Sequence, residues 1–79
     1  MPTLQEDRLL DCRRTLCPVP VIRARHAIDE LLPGQILKVL TTDPGSWADF
    51  PAFARNTGHE LLHASKEDGE YIYYLRKAG

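Results

Sequence analysis

Apolar positions along this chain switch between two spacings. Residues 8–12, RLLDC, read as a short strand around Leu9 and Leu10. From Pro18 the period lengthens. Val21, Ala24, Ile28 and Leu31 are spaced three, four and three apart, with Ala27 and Leu32 on the same flank. Arg23, His26, Asp29 and Glu30 fall on the other side, so an amphipathic helix of about four turns is predicted. Pro33-Gly34 ends it, because proline disfavours helix in the residue before it and glycine accepts the turn. Residues 35–42, QILKVLTT, are rich in aliphatic and β-branched side chains and predict a second strand. Asp43-Pro44-Gly45 is a turn.

A second helix is expected over about residues 46–57, with Trp47, Phe50, Phe53 and Ala54 as its apolar stripe. Ser46 and Asp49 have the spacing of a capping box. Pro51 fits that start poorly, since its position normally donates a helix bond, and Asp49 as N-cap is the alternative. Gly58 closes the helix either way. Residues 59–66 and 70–77 read as two further strands joined through Glu67-Asp68-Gly69, Asp-Gly being usual hairpin chemistry. The order β-α-β-α-β-β predicts an α+β fold, a two-layer sandwich with a four-stranded mixed sheet and two helices on one face. Trp47, Phe50 and Phe53 are assigned to the core and the strand tyrosines to covering the sheet. One domain over residues 1–79 is expected, with 1–7 a loose tail.

Composition narrows the function classes. The 79 residues suffice for one small domain with a modest core. Ten Lys and Arg against eleven Asp and Glu give a net charge of -1, which argues against a general nucleic-acid coat but leaves a local basic patch open. Two cysteines are too few for a disulfide-stapled scaffold. With no apolar run in the first eight residues and none long enough to span a bilayer, the reading is a cytoplasmic protein with reduced thiols and no membrane partner. Nothing demands more than a monomer.

The chemistry concentrates where Cys17 is followed by Pro18 and Pro20. Proline suits the start of a helix, where its missing N–H is no loss. Cys17 then sits at or beside the N-cap. A helix N-terminus favours an anion, and the anion available is a thiolate, whose pKa such a setting lowers. Arg13, Arg14 and Arg23 are close enough in sequence to add to that field. The stretch is thus suited to hold a nucleophilic sulfur or a persulfide anion. The alternative is a plain cap-region residue, although Ser, Thr, Asp or Asn would cap better.

These residues also carry a resemblance. LDCRRTLCPVP resembles the Leu-Asp-x-x-Gly-x-x-Cys-Pro-x-Pro signature of the TusA sulfur-carrier family, also called SirA-like. The likeness continues through Pro33-Gly34, Asp43-Pro44, Asp49-Phe50-Pro51, Gly58-His59 and Arg76-Lys77. It implies a fold similar to the C-terminal domain of translation initiation factor 3. It implies that Cys17 accepts sulfane sulfur as a persulfide and relays it, with Pro18, Pro20 and Asp11 as motif residues. Implied partners are a cysteine desulfurase or other persulfide donor and a downstream sulfur acceptor. The implied pathway is tRNA 2-thiolation or related sulfur trafficking, and no cofactor is implied. Arg14 stands where the signature has glycine. If that glycine serves a left-handed backbone, Arg14 costs roughly 1–2 kcal/mol there. Thr15 likewise replaces a usual apolar residue, so the surface beside Cys17 is altered and more basic.

The remaining residues have structural readings. Cys12 is expected buried at a strand end rather than bridged to Cys17. His59 and His63 match no zinc spacing. Asp11 and Asp43 follow strands, where turn formation and capping are the default. Arg13, Arg14, Arg23 and Arg25 offer docking contacts for an acidic partner or an RNA phosphate, or simply a solvated face. Ile22 falls outside the apolar arc, one turn from Cys17. The competing function is a non-catalytic RNA- or protein-binding adaptor on the same fold.

Overall fold

The computed structural model describes residues 4–79. The element order is β1 (Arg8–Cys12), α1 (Val19–Asp29), β2 (Ile36–Thr41), α2 (Ser46–Thr57), β3 (Glu60–Glu67) and β4 (Glu70–Arg76). The strands lie in the order β1-β2-β4-β3, with β1 parallel to β2 and the other pairs antiparallel, so the sheet is mixed as predicted. The crossover through α1 makes the first pair parallel, and the Asp68-Gly69 turn, both residues at positive φ, makes the last pair a hairpin.

Register explains the single core. Leu37 pairs with Leu75, Val39 with Tyr73 and Thr41 with Tyr71, and all six are buried on one face. Both helices pack there, α1 bringing Pro20, Ala24, Ala27 and Ile28 and α2 bringing Phe50, Phe53 and Ala54. Phe50 stacks on Tyr73 at 4.5 Å between ring centroids. Lys38 and Tyr74, cross-strand partners, point to the opposite, uncovered face. Tyr71 and Tyr73 therefore belong to the core itself, and only Tyr74 covers the sheet's outer side.

Several local expectations are corrected. Helix α1 is one turn shorter than its periodicity suggests. It ends at Asp29, and Leu32, expected on the apolar flank, is exposed because residues 30–35 already turn toward β2. Helix α2 starts at Ser46, but the capping box does not form. Gly45 is the N-cap, and Ser46 Oγ bonds the Tyr73 hydroxyl at 2.6 Å inside the core. Pro51 sits within the helix rather than in a first turn begun by Asp49. Trp47 is 50% exposed, leaning on Tyr71 and Tyr73 from the edge of the core instead of filling it. Of the segment 1–7 read as loose, residues 1–3 lie outside the described residues. Asp7 is tied to β2, its N–H donating to the Ile36 carbonyl at 2.8 Å and its carboxylate accepting the Ile36 N–H at 2.7 Å. Among the described residues no helix is long and apolar enough to cross a membrane.

Candidate functional site

Cys17 is exposed at the head of α1. The helix begins at Val19, with Pro18 as N-cap and Pro20, fully buried, in the second helical position. The Cys17–Pro18 peptide is cis. The two prolines offer no N–H at this end, and the Val19 N–H is taken by the Leu16 carbonyl at 2.9 Å. The helix terminus therefore presents little of the free-donor cradle that the sequence suggests for a sulfur anion.

What faces the sulfur is acidic. The Cys17 thiol donates to Asp49 Oδ2 at 3.0 Å, from the first turns of α2. The Cys17 N–H donates to Asp43 Oδ2 at 2.9 Å, and the other Asp43 oxygen accepts the Gly45 N–H at 3.2 Å. Asp43 thus forms the turn before α2, as its position predicts, and also pins the Cys17 backbone to that turn. The sulfur and one oxygen of each carboxylate all lie within 4.8 Å of one another. The bond to Asp49, some desolvation and the charges of Asp49 and Asp43 push the Cys17 thiol up from its ordinary range. This reverses the depressed pKa expected from the helix end and the arginines.

The arginines are spent elsewhere. Arg13 donates to both oxygens of Asp11, at 2.9 and 2.8 Å, and to Glu70 at 3.4 Å. Its guanidinium holds the Asp11 carboxyl down to about 2. Asp11, Arg13, Arg14, Thr42 and Glu70 line a separate polar cleft. Arg23 lies in another cleft, with Arg8, His26 and Glu30. The structure thus separates Asp11, Arg13 and Arg23 from the sulfur and leaves Pro18 and Pro20 beside it. Arg14 has φ of 68°, the left-handed conformation for which glycine is the natural residue, and its N–H donates to Thr42 Oγ1 at 3.0 Å. The glycine-to-arginine departure therefore carries a conformational cost at this position.

A groove of about 400 Å³ runs from Cys17 between the helices, lined by Pro18, Val21, Ile22, Arg25, Phe53 and Asn56 among others. Ile22 is about half exposed in it, and Leu16 and Val19, neighbours of Cys17 in sequence, are exposed at 72% and 39%. Cys12 is buried at the end of β1 and unbridged, where burial also pushes its thiol up. His59 accepts the Ala78 N–H at 3.0 Å, and exposed His63 sits edge-on to Tyr74, so neither joins the cysteines. Sequence reasoning missed Asp49 as a partner of the sulfur. The signal was present in Asp49-Phe50-Pro51, but only the packing of α2 against the head of α1 gives it meaning.

Comparison with known proteins identifies the family. The family model described as Sulfurtransferase TusA matches residues 8–77. A sulfur carrier protein TusA from Allochromatium vinosum is 40% identical over 72 residues, 91% of this chain and 95% of that protein. One from Pseudomonas paraeruginosa is 41% identical over 71 residues, 90% of each. The crystal structure of a SirA-like protein from Desulfitobacterium hafniense superposes with a TM-score of 0.78 at 26% identity, covering 91% of this chain and 99% of that one. The chain belongs to the TusA sulfurtransferase family, the family of sulfur carriers.

Proposed function

We propose that this sulfur carrier bears its cargo as a persulfide on Cys17. The observation that carries the reading is the exposed sulfur at the mouth of the interhelical groove, on a backbone fixed by Asp43. Cys12 is the only other cysteine in the chain and is buried in the core. In uptake, the Cys17 sulfur attacks the outer sulfur of a donor's persulfide. The donor's S–S bond breaks and its sulfur leaves as a thiol, while Cys17 becomes Cys17–S–SH. Delivery is the same exchange with the next acceptor. Pro18 and Pro20 set the approach by starting α1 directly behind the sulfur, and no cofactor enters the exchange.

A sulfur carrier needs a donor and an acceptor. We take the donor to be a cysteine desulfurase or another persulfide-forming enzyme, docking on the exposed apolar side chains of Leu16, Val19 and Ile22 around the cysteine. Eventual use in tRNA 2-thiolation is the pathway we favour. The RNA-binding form of the adaptor reading calls on Arg13, Arg14, Arg23 and Arg25 as phosphate contacts. Arg13 is instead paired with Asp11 and Glu70, and two carboxylates face the sulfur, which disfavours an RNA phosphate there.

Intact-mass measurement after incubation with a cysteine desulfurase and cysteine tests the proposal. Wild type and Cys12→Ser should gain one sulfur, and Cys17→Ser none. A gain that survives Cys17→Ser refutes it.

A further inference from the structure

The persulfide exchange leaves one close neighbour of the sulfur unexplained. Asp43 has a structural task, since its oxygens are occupied by the N–H groups of Cys17 and Gly45 and the residue is buried. Asp49 is different. Its carboxylate is partly exposed, lines the groove, and receives the Cys17 thiol at 3.0 Å. The charged groups facing the sulfur are Asp43 from the turn before α2, Asp49 from α2, and, along the groove, Arg25 from α1. The loop between β1 and α1 brings no charge to it, because Arg13 is paired with Asp11 and Glu70 and Arg14 lines a different cleft.

We propose that Asp49 is a positioning residue for sulfur transfer: its carboxylate holds the resting Cys17 as a hydrogen-bonded thiol, and its charge repels the anion of the loaded cysteine, so that sulfur is passed on rather than kept. The proposal rests on the reading of Cys17 as the sulfur-bearing residue. In uptake the S–H bond of Cys17 breaks and its proton passes to water. The freed electron pair forms a bond to the outer sulfur of the donor persulfide. The donor's S–S bond breaks, and its electron pair leaves on the donor sulfur, which takes a proton from water. A thiol and a persulfide are consumed and a thiol and a persulfide are formed, so no oxidant or reductant is needed.

The loaded cysteine is a stronger acid than the thiol and ionises at neutral pH. Its negative charge then stands against Asp49 and, behind it, Asp43. The same pair of carboxylates disfavours the Cys17 thiolate, consistent with the upward displacement of the thiol. A sulfur held against like charge is less reactive toward stray electrophiles when empty and less firmly retained when full. Both properties suit a carrier and neither suits a storage site.

The test compares wild type with Asp49→Asn, using Asp49→Ser as well should the first variant lose its circular-dichroism spectrum. Two measurements are made. One is the pH profile of Cys17 alkylation by iodoacetamide. The other is the partition of sulfur between Cys17 and glutathione, started from glutathione persulfide and read by intact mass. One unit charge at about 4 Å in a water-like dielectric corresponds to roughly a fivefold effect. Removing it should shift the alkylation profile to lower pH, speed alkylation at neutral pH roughly fivefold, and favour the loaded carrier by a similar factor. Coincident pH profiles, or a variant that loads less than wild type, would overturn the role of Asp49. Wild type that takes up no sulfur overturns the persulfide reading instead, and the alkylation profile still judges Asp49.

Discussion

Replacing Asp43 removes a side chain that joins the Cys17 backbone to the turn before the second helix. In Asp43→Ala two hydrogen bonds to a carboxylate are lost, from the Cys17 N–H at 2.9 Å and the Gly45 N–H at 3.2 Å. Hydrogen bonds to charged groups contribute about 1.5–3 kcal/mol each, and two in one turn are not additive, so the expected loss is about 2–4 kcal/mol. For a domain of this size that is a fall in Tm of roughly 10–25 °C. Asp43→Asn keeps one carbonyl acceptor but turns an amide N–H₂ toward the other N–H, and should lose roughly half as much. Thermal and urea unfolding by circular dichroism measure the loss. Sulfur loading on the folded variants, at a temperature where both are native, measures the second consequence. With its N–H released, Cys17 no longer has a fixed approach, and loading should slow in both variants. An Asp43→Ala protein destabilised by less than about 0.5 kcal/mol would refute the reasoning, because a buried carboxylate with two backbone partners cannot be that cheap to remove.

Arg14→Gly should raise stability by about 0.5–1 kcal/mol, since the left-handed φ of 68° costs arginine more than the added chain entropy of glycine; urea unfolding reads the difference. Tyr73→Phe leaves Ser46 Oγ buried without its 2.6 Å partner and should cost about 1–2 kcal/mol, with Ser46→Ala in the same chain recovering part of it in a double-mutant cycle. Arg13→Ala should return the Asp11 carboxyl from about 2 toward its ordinary value of 3.8, followed by NMR titration. The sign follows from the depressed folded value. The pair stabilises the fold above the ordinary carboxyl pKa and loses that contribution as pH falls through about 2, so the variant should differ least from wild type in strong acid. As both groups are exposed, the effect on stability at neutral pH should be small.

The fold was legible because its signals are local. Residues 8–12 and 46–57 have the bounds the pattern predicts, and the Asp68-Gly69 turn follows from two residues that tolerate positive φ. The errors also have local causes. Leu31 and Leu32 continue the helical spacing after the chain has left the helix, because the partly buried Leu31 can meet the core from the turn as well as from α1. Ser46 and Asp49 satisfy the spacing of a capping box, yet each has a long-range partner, Tyr73 and Cys17. A spacing rule sees only the i to i+3 relation. It cannot weigh a hydroxyl in β4 or a thiol at the head of another helix, which compete for the same side chains and win.

The same limit explains the electrostatics of the site. Proximity in sequence suggested that Arg13 and Arg14 would surround Cys17. The left-handed residue 14 turns the chain at that point, and the two arginines line the cleft of Asp11, Thr42 and Glu70 instead. The groups that reach the sulfur come from 26 and 32 residues away. Helix-end physics acts in two opposing ways here. Prolines that suit the first turn are also residues without N–H, so a start built from Pro18 and Pro20 gives up donors that would stabilise an anion. The Cys-Pro-x-Pro segment is better understood as a rigid mount than as an activating field. On the persulfide reading, activation of Cys17 then has to come from outside the free chain. A partner that screens or displaces Asp49 would release the thiolate only in the docked complex. That coupling predicts little reaction of the free carrier with small alkylating agents at neutral pH and faster reaction once a donor has docked. Equal rates free and docked, with the sulfur still accessible, would show that the acidic pair does not restrain it.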